Sequence, residues 1–285
     1  MSKRFYTIAR HTVSVEGGTE PDLLALIPGF AEFETGTGAA DLQIAFGHDV
    51  EIPDTEPNHR FSFDESAFVC RYYATDSAQC FTMTGSDGNC YAMRYNGGDM
   101  AEASPVDNPD ALRFMLWMAF AMFGSTRNTA PIHSACVVCN GEGTIFLGES
   151  GTGKSTHARL WLKNIDGCRL LNDDSPIITV ENGKPMIYGS PWSGKTHCYH
   201  NEGYPLQAIV RLHQADMNHI EPLGTLRAVA AIEPSLPPAL RYNVGLETYR
   251  IDFIASIIQN CRVFSLGCRP DSEAAELCSK VVMGR

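Results

Sequence analysis

Short apolar runs of β-forming residues alternate with clusters of turn residues through the first third of the chain. The alternation predicts strands near residues 4–9, 42–46, 68–74, 79–84 and 90–95. The last two flank Gly85-Ser86-Asp87-Gly88, a sequence typical of a hairpin turn. We therefore expect a β-rich N-terminal module over residues 1–105, and we find no catalytic group of residues in it.

A different pattern begins at residues 109–123, which are apolar on almost every side of a helix and predict a buried helix. The predicted strands beyond it are 132–139, 144–147, 169–172, 177–180, 185–188, 208–212 and 262–266, and the predicted helices are 154–164, 246–259 and 272–282. Asn140-Gly141 and Asn182-Gly183 predict tight hairpins. We expect an α/β (α+β) protein in which residues 106–285 form a second, mixed-sheet domain that includes its leading helix.

Composition and charge narrow the class of protein. Hydrophobic residues make up 44% of the 285 positions and charged residues 19%, as in ordinary globular proteins. The net charge of −11 argues against a non-specific nucleic-acid binder or a polybasic membrane-surface protein, because both need excess Lys and Arg. The chain start shows no signal peptide, so we expect a cytoplasmic protein whose ten cysteines stay reduced and mostly buried.

The strongest motif lies between a predicted strand and a predicted helix: Gly148-Glu149-Ser150-Gly151-Thr152-Gly153-Lys154-Ser155-Thr156. Its glycines let successive N–H groups point into one concavity, where they and the positive end of the helix dipole bind phosphate oxygens. We expect Lys154 to reach the β- and γ-phosphates of ATP, and Ser155 to place its hydroxyl on Mg²⁺ or Mn²⁺. The alternative is a glycine-rich turn whose lysine is only solvated.

Two acids, Asp173 and Asp174, follow a short apolar strand nineteen and twenty positions after Lys154. A divalent ion that bridges phosphates needs a hard oxygen ligand. Neighbouring side chains of a strand point to opposite faces, so both acids reach one site only if the strand ends there, which Pro176 favours. One acid is then a metal ligand and the other a candidate general base. The alternative is a solvated turn.

The evidence for a functional role is weaker for other residues in the predicted apolar strands. His133 lies on the predicted strand that the Asn140-Gly141 hairpin joins to the strand entering the phosphate loop, which puts it near the phosphate end. A lone histidine, however, is more often a core or surface residue. Arg211 either stabilises a transferring phosphate or pairs with an acid. Cys136 and Cys139 have C-x-x-C spacing, but a strand directs their thiols to opposite faces, which disfavours zinc.

Taken together, these residues resemble the HPr kinase/phosphorylase and PEP carboxykinase superfamily of P-loop proteins. Ile132-His133-Ser134-Ala135, the hairpin, the phosphate loop and Asp173-Asp174 follow the order and spacing of its members, over about residues 131–195. In PEP carboxykinases a His-Cys-Ser-Ala strand precedes Gly-x-Ser-Gly-Thr-Gly-Lys-Thr. In HPr kinases a His-Gly strand precedes Gly-Asp-Ser-Gly-x-Gly-Lys-Ser. The resemblance implies a mixed-sheet P-loop kinase domain.

The resemblance also implies roles for single residues. His133 would contact metal or phosphate, Asp173 would be the base that deprotonates a serine, and Asp174 would be the metal-side acid. Residues 188–196 resemble small HPr-kinase-like proteins found beside peptide-modifying systems, which implies that Lys195 meets a phosphate or the acceptor; the alternative is a surface loop. The Gly-Leu-Gly-Ile-Ile-Asn-Val signature of HPr kinases is missing, so HPr itself is not the expected acceptor.

The sequence therefore predicts an ATP-dependent phosphotransferase, an HPr-kinase-like serine kinase that acts on a protein or peptide. Its expected catalytic residues are Asp173, Lys154 and His133. Two alternatives remain open: a nucleotide-sensing regulatory module without phosphoryl transfer, and a small-metabolite kinase. We expect neither a nucleic-acid nor a membrane partner, and homo-oligomerisation is left open.

Overall fold

The structure, a computed structural model, describes residues 3–17, 23–62, 67–194 and 196–284. The chain divides into two compact units, residues 1–127 with 237–250 and residues 128–236 with 251–285. Its described strands are β1 (Arg4–Ile8), β2 (His11–Glu16), β3 (Glu34–Thr35), β4 (Leu42–Phe46), β5 (His59–Phe61), β6 (Val69–Ala74), β7 (Gln79–Thr84), β8 (Cys90–Tyr95), β9 (Met100–Ala103), β10 (Thr129–Pro131), β11 (Ser134–Cys139), β12 (Glu142–Leu147), β13 (Cys168–Asp174), β14 (Ile177–Glu181), β15 (Lys184–Tyr188), β16 (Gly203–Gln214), β17 (His219–Pro222) and β18 (Arg262–Cys268). Its described α-helices are α1 (Pro109–Gly124), α2 (Lys154–Asn164), α3 (Thr225–Ile232), α4 (Pro238–Arg241), α5 (Glu247–Asn260) and α6 (Ser272–Met283).

The first unit is built on a mixed sheet with the strand order β3-β1-β2-β4-β9-β8-β7-β6-β5. Helix α1 begins after Asn108, whose side-chain oxygen accepts hydrogen bonds from the backbone N–H groups of Asp110 and Ala111 at 2.9 and 3.0 Å. The helix packs on β4, β7 and β8 of this sheet. The sequence pattern grouped this helix with residues 106–285, but its apolar surface is buried against the strands that precede it. Within the described residues, no helix combines the length and the apolar character that crossing a membrane requires.

The second unit contains the sheet β10-β14-β15-β16-β12-β11-β13, to which β18 is added beside β16 and β17 beside β18. Strands β12, β16 and β18 are parallel, whereas β11 is antiparallel to both β12 and β13. Two mixed sheets with helices confirm the predicted α+β class. The two Asn-Gly hairpins are confirmed as well, because all four residues have positive φ angles: Asn140 54°, Gly141 82°, Asn182 50° and Gly183 78°.

Helix α2 covers the sheet of the second unit with a buried aromatic cluster. Trp161 is fully buried, and its ring lies 5.4 Å from that of Phe146 on β12. The same cluster contains Ala158 on α2, Val210 on β16 and Ala275 on α6. Helix α2 is therefore fixed to the sheet over its length, which also fixes the loop that enters it.

One cysteine pair departs from the sequence expectation. Cys139 and Cys168 form a disulfide, whereas we expected all ten cysteines to be reduced. The two residues are register partners on β11 and β13, and their Cα atoms are 4.2 Å apart. Strand pairing between distant segments brings the thiols together, and sequence spacing gives no indication of it. Cys136 of the C-x-x-C run remains a free, fully buried thiol.

A buried histidine on α2 leads to a testable prediction. His157 is 3% exposed, its Nε2 accepts a hydrogen bond from Trp161 Nε1 at 3.1 Å, and its Nδ1 has no partner among the described residues. Burial lowers the pKa of His157 to about 4. The unfolded chain therefore binds more protons than the folded chain between about pH 6.5 and pH 4. The stability contributed by the neutral ring is complete above pH 6.5 and falls as the pH drops through 4.

We expect His157→Gln to remove about 3 kcal/mol of the acid-induced loss of unfolding free energy between pH 7 and pH 4. Urea denaturation at a series of pH values measures this slope. Trp161→Phe is the control, because it removes the hydrogen-bond donor, lowers stability at every pH and leaves the histidine to titrate. Equal slopes for native protein and His157→Gln would show that this ring does not couple folding to pH.

Candidate functional site

Strand β11 brings the phosphate-loop motif and the acid pair to one edge of the sheet. Ala135 on β11 is the register partner of Phe146 on β12 and of Asp173 on β13. Both neighbours are antiparallel to β11, so β12 and β13 run in the same direction and end at the same edge. Since adjacent strands are about 4.8 Å apart, the backbones of Phe146 and Asp173 are about 10 Å apart.

The motif forms a compact loop between β12 and α2. Gly151 and Gly153 have φ angles of 79° and 101°, which favour glycine. A side chain at Gly148 would place its Cβ 2.4 Å from Thr152 Oγ1, so only glycine fits there without displacement of Thr152. Thr152 donates to the Glu149 carbonyl through its backbone N–H at 3.2 Å and its hydroxyl at 2.8 Å. These bonds hold the loop in a closed turn.

The first turn of α2 presents backbone donors at the end of this loop. Its N-cap is Gly153, which has no side chain to satisfy the N–H groups of the first turn. Ser155 and Thr156, the two residues after Lys154, lie in that turn. An uncapped helix N-terminus with aligned N–H groups is suited to bind an anion such as a phosphate.

Lys154 lies over its own loop. Its Nζ donates to the carbonyl oxygens of Gly148 at 2.9 Å and Glu149 at 3.2 Å. Burial lowers the pKa of Lys154, whereas the carboxylates of Asp174, Glu149 and, with the smallest effect, Asp173 oppose that shift. The lysine is thus in electrostatic contact with both acids of the pair.

Arg211 supplies a second cation beside the loop. It is the register partner of Leu147, the last residue of β12. Its Nη2 donates to Glu149 Oε1 at 2.6 Å and its Nη1 donates to the Ala231 carbonyl at 3.2 Å. The positive charge of Arg211 also acts to lower the pKa of Lys154. Arg211 therefore pairs with an acid, Glu149, which is one of the two roles that the sequence suggested for it. The pair lies at the edge of the loop.

The acid pair lies within β13, not after it. We predicted that the strand ends at residue 172, but Asp173 and Asp174 continue the ladder opposite Ala135 and Ser134. Main-chain pairing to β11 extends the strand to Asp174, its last residue, so the two acids lie at the strand end, where both can reach one site. Asp173 is 6% exposed, whereas the side chain of Asp174 is 37% exposed. The two carboxylates therefore have different environments.

His133 occupies the break between β10 and β11, not the strand position that the sequence pattern predicted. Its backbone N–H donates to the Ser235 carbonyl at 2.9 Å, which fixes the turn. Its Nδ1 is 3.5 Å from Asp174 Oδ1, and half of its side chain is exposed. The structure thus places His133 directly beside the more exposed acid.

Asn172 is a structural residue of the site that the sequence analysis missed. It is fully buried, and its Nδ2 lies within 3.0 to 3.4 Å of acceptors on Ser190, Trp192 and Cys198, with the carbonyl of Trp192 nearest. Its Oδ1 accepts the backbone N–H of Ser175 at 2.8 Å. An amide inside an apolar strand was the available indication, but its partners are distant in sequence.

These bonds fold the segment after β15 against the end of β13. Ser190 Oγ donates to the Ser175 carbonyl at 2.6 Å, and the Gly194 N–H donates to the Asp173 carbonyl at 2.8 Å. Ser193 forms a backbone bridge with Asp174. Lys195, which follows Gly194, lies outside the described residues. Its predicted contact with a phosphate or acceptor therefore stays a prediction.

The donors at this edge include hard oxygen atoms that could bind a divalent cation together with a phosphate. No group of three or more His, Cys, Asp or Glu side chains among the described residues forms a metal site. Mg²⁺ is typically bound through one or two carboxylates together with the phosphates of its substrate. The Ser155 hydroxyl and one acid of the pair are hard oxygen donors of this kind, beside a loop that presents amides and Lys154.

The Asn172 bonds lead to a prediction about the segment 189–198. We expect Asn172→Ala to destabilise the protein by about 2–4 kcal/mol, because it removes a buried amide that donates to the Trp192 carbonyl and accepts the Ser175 N–H. Amide hydrogen exchange should rise most in residues 189–198. Asn164→Ala is the matched control, because Asn164 Nδ2 makes one hydrogen bond within its own helix, to the Leu160 carbonyl. Equal exchange rates in residues 189–198 for both variants would contradict the role of Asn172 in holding this segment.

Comparisons with known proteins place this site within a family. A solved structure, the HPr(Ser) kinase/phosphatase from Coxiella burnetii, is 13% identical to this chain, with a TM-score of 0.32; the match covers 54% of this chain and 97% of that one. No curated protein matches the sequence. The family model of the SynChlorMet cassette protein ScmC matches residues 106–261, more than half of the chain and the whole of the site described above. The chain belongs to the ScmC family.

Proposed function

We propose that this protein is an ATP-dependent phosphotransferase that transfers the γ-phosphoryl group to a serine hydroxyl of a protein or peptide. In this proposal the second unit is a P-loop kinase domain, with a nucleotide site at residues 148–156. The cofactor is Mg²⁺, for which Mn²⁺ can substitute.

The observation that carries the proposal is the register of β11, which puts the glycine loop and the acid pair at one edge of the sheet. Glycine-rich loops followed by a helix bind many anions, but a phosphotransferase also needs acids beside the bound phosphates. Phe146, just before the loop, and Asp173 are both register partners of Ala135, and the charges of Asp174 and Asp173 act to raise the pKa of Lys154. This juxtaposition supports phosphoryl transfer over phosphate binding alone.

The reaction is a displacement at the γ-phosphorus. The serine oxygen forms a bond to the γ-phosphorus, the bond from that phosphorus to the β,γ-bridging oxygen breaks, and ADP leaves. The serine proton passes to a carboxylate. When bound, Mg²⁺ neutralises charge on the β- and γ-phosphate oxygens.

We assign the proton acceptor to Asp173 and the metal-side ligand to Asp174, with Ser155 as the second protein ligand of the metal. No described residue donates a hydrogen bond to the Asp173 carboxylate, so its oxygens are available to accept a proton. Asp174 is the more exposed acid and lies beside His133, which supports its assignment to the metal. His133, beside Asp174, would orient that carboxylate or contact phosphate.

Lys154 and Arg211 provide the positive charge in this proposal. Both are now bonded to groups of the loop itself: Lys154 to carbonyl oxygens and Arg211 to the Glu149 carboxylate. Phosphate oxygens are stronger partners for a cation than carbonyl oxygens are. We therefore expect Lys154 to move from the loop carbonyls to the nucleotide, and Arg211 to stabilise charge on the transferring group.

The test uses γ-labelled ATP and two peptide libraries that differ only in having serine or alanine at a fixed central position. We expect label in the serine library alone. Asp173→Asn should slow single-turnover transfer by about 10²–10⁴, the usual contribution of a positioned base, while Mg²⁺–ATP binding stays within twofold. Lys154→Met should weaken ATP binding by about tenfold or more, because it removes a charged contact to phosphate.

Asp166→Asn is the matched control, since Asp166 is an exposed acid just before the opposite end of β13. This variant should transfer label at the native rate. Tight Mg²⁺-dependent ATP binding with no labelled serine peptide would contradict the proposal and favour the nucleotide-sensing module. Native-rate transfer by Asp173→Asn would remove that residue from the mechanism.

A further inference from the structure

Two stretches that contain no Asp or Glu include residues of the glycine loop and of the segment after β15. They are residues 150–165 and 182–201, whereas the whole chain has 33 acidic residues and a net charge of −11. The first segment carries Lys154, Arg159 and Lys163, and the second carries Lys184 and Lys195 with two histidines. Both stretches therefore carry cations and no carboxylate.

The fold brings parts of these two segments into contact. Arg159 on α2 donates from Nη2 to Thr196 Oγ1 at 3.1 Å, which joins the helix to the segment after β15. Arg159 and the neighbouring His197 are both exposed. We call the surface formed by Thr156, Arg159, Lys163, Thr196 and His197 the α2–loop face.

Helical spacing puts the three α2 residues of this face on one side. Thr156, Arg159 and Lys163 are separated by three and four positions, and all three are exposed. The opposite side, with Ala158 and Trp161, is buried against the sheet. The two cations repel each other at this spacing, and no acid within the helix offsets the repulsion.

Most exposed arginines elsewhere on this chain have a carboxylate partner. Arg60 pairs with Glu56 at 2.6 Å, and Arg269 pairs with Glu273 at 3.2 Å. Among the described residues, Arg159 and Lys163 pair with no carboxylate. Two adjacent unpaired cations on so acidic a protein are electrostatically complementary to an anionic partner from outside the chain.

We infer that the α2–loop face binds an acidic peptide segment that flanks the acceptor serine. The segment after β15 links this face to the acids, because Thr196 accepts a hydrogen bond from Arg159 and the Gly194 N–H donates to the Asp173 carbonyl. A peptide bound along the face would then have its serine toward Asp173. Arg159 and Lys163 lie about 7 and 13 Å along the helix from Lys154. An extended chain spans these distances in about two and four residues. The acidic side chains thus fall about two and four positions from the serine.

The acceptor role of this peptide rests on the proposed function, but its binding does not. The probe is a fluorescein-labelled peptide with one serine and with Glu at the second and fourth positions on either side. Fluorescence anisotropy with the full chain measures its dissociation constant, beside matched peptides that carry Gln or Lys at those positions and a single-stranded oligodeoxynucleotide of similar charge.

We expect the Glu peptide to bind about tenfold more tightly than the Gln peptide at low ionic strength, and we expect this preference to shrink at physiological salt. Arg159→Gln with Lys163→Gln should remove the preference. The control Lys184→Gln with Lys280→Gln changes the net charge equally, and Lys280, like Lys163, lies in the last turn of its helix. This control should keep the preference.

Equal binding of the Glu and Gln peptides would overturn the inference, and so would equal losses in the two double variants. Equal binding of the oligodeoxynucleotide would overturn the assignment to a peptide and leave a general polyanion surface. Preferential binding of the Glu peptide without label transfer to its serine would support the face and contradict the proposed phosphotransfer. Transfer of label to serine without any preference for acidic flanking residues would support the proposed phosphotransfer and contradict the role of the α2–loop face.

Discussion

The site depends on β11, which pairs on one side with the strand that enters the phosphate loop and on the other with the strand that carries the acids. Because both neighbours are antiparallel to β11, the Gly148 turn and Asp173 cannot lie at different edges of the sheet. Backbone hydrogen bonds set this arrangement, so it survives many changes of side chain. The Asn140-Gly141 turn fixes the register on one side, and the Cys139–Cys168 disulfide joins the strands on the other.

One buried amide, that of Asn172, holds the segment that lies against the acids. Asn172 precedes the acids in sequence and is hydrogen-bonded to the segment that covers them. Such an amide is costly to bury unless nearly all of its polar groups have partners, and here they do. The result is an edge where a closed glycine loop, two acids of unequal exposure and a braced segment meet. Two cations at this edge, Lys154 and Arg211, bond to groups of the loop.

The sequence could predict features that depend on a few neighbouring residues. The phosphate loop, the two Asn-Gly hairpins and helix α2 were of this kind, since glycine freedom and helical periodicity act locally. Counting across a hairpin predicted His133 near the loop, and the structure shows it beside Asp174. Pairing between segments that are distant in sequence could not be predicted in this way. The extension of β13 through Asp174, the disulfide and the partners of Asn172 all depend on β11 or on the segment after β15. The packing of α1 on the first sheet was missed for the same reason, whereas β2 was missed although it pairs with β1 across the short Ala9-Arg10 turn.

The central claim is that the loop and the acids bind the same metal–phosphate group. X-ray diffraction from crystals grown with Mn²⁺ and a non-hydrolysable ATP analogue tests it most directly, because anomalous scattering locates the metal. We predict one Mn²⁺ at coordination distance from Ser155 Oγ and a carboxylate oxygen of Asp174, with Lys154 Nζ on a phosphate oxygen. Metal and nucleotide bound elsewhere, with Lys154 still on the carbonyls of Gly148 and Glu149, would contradict the account.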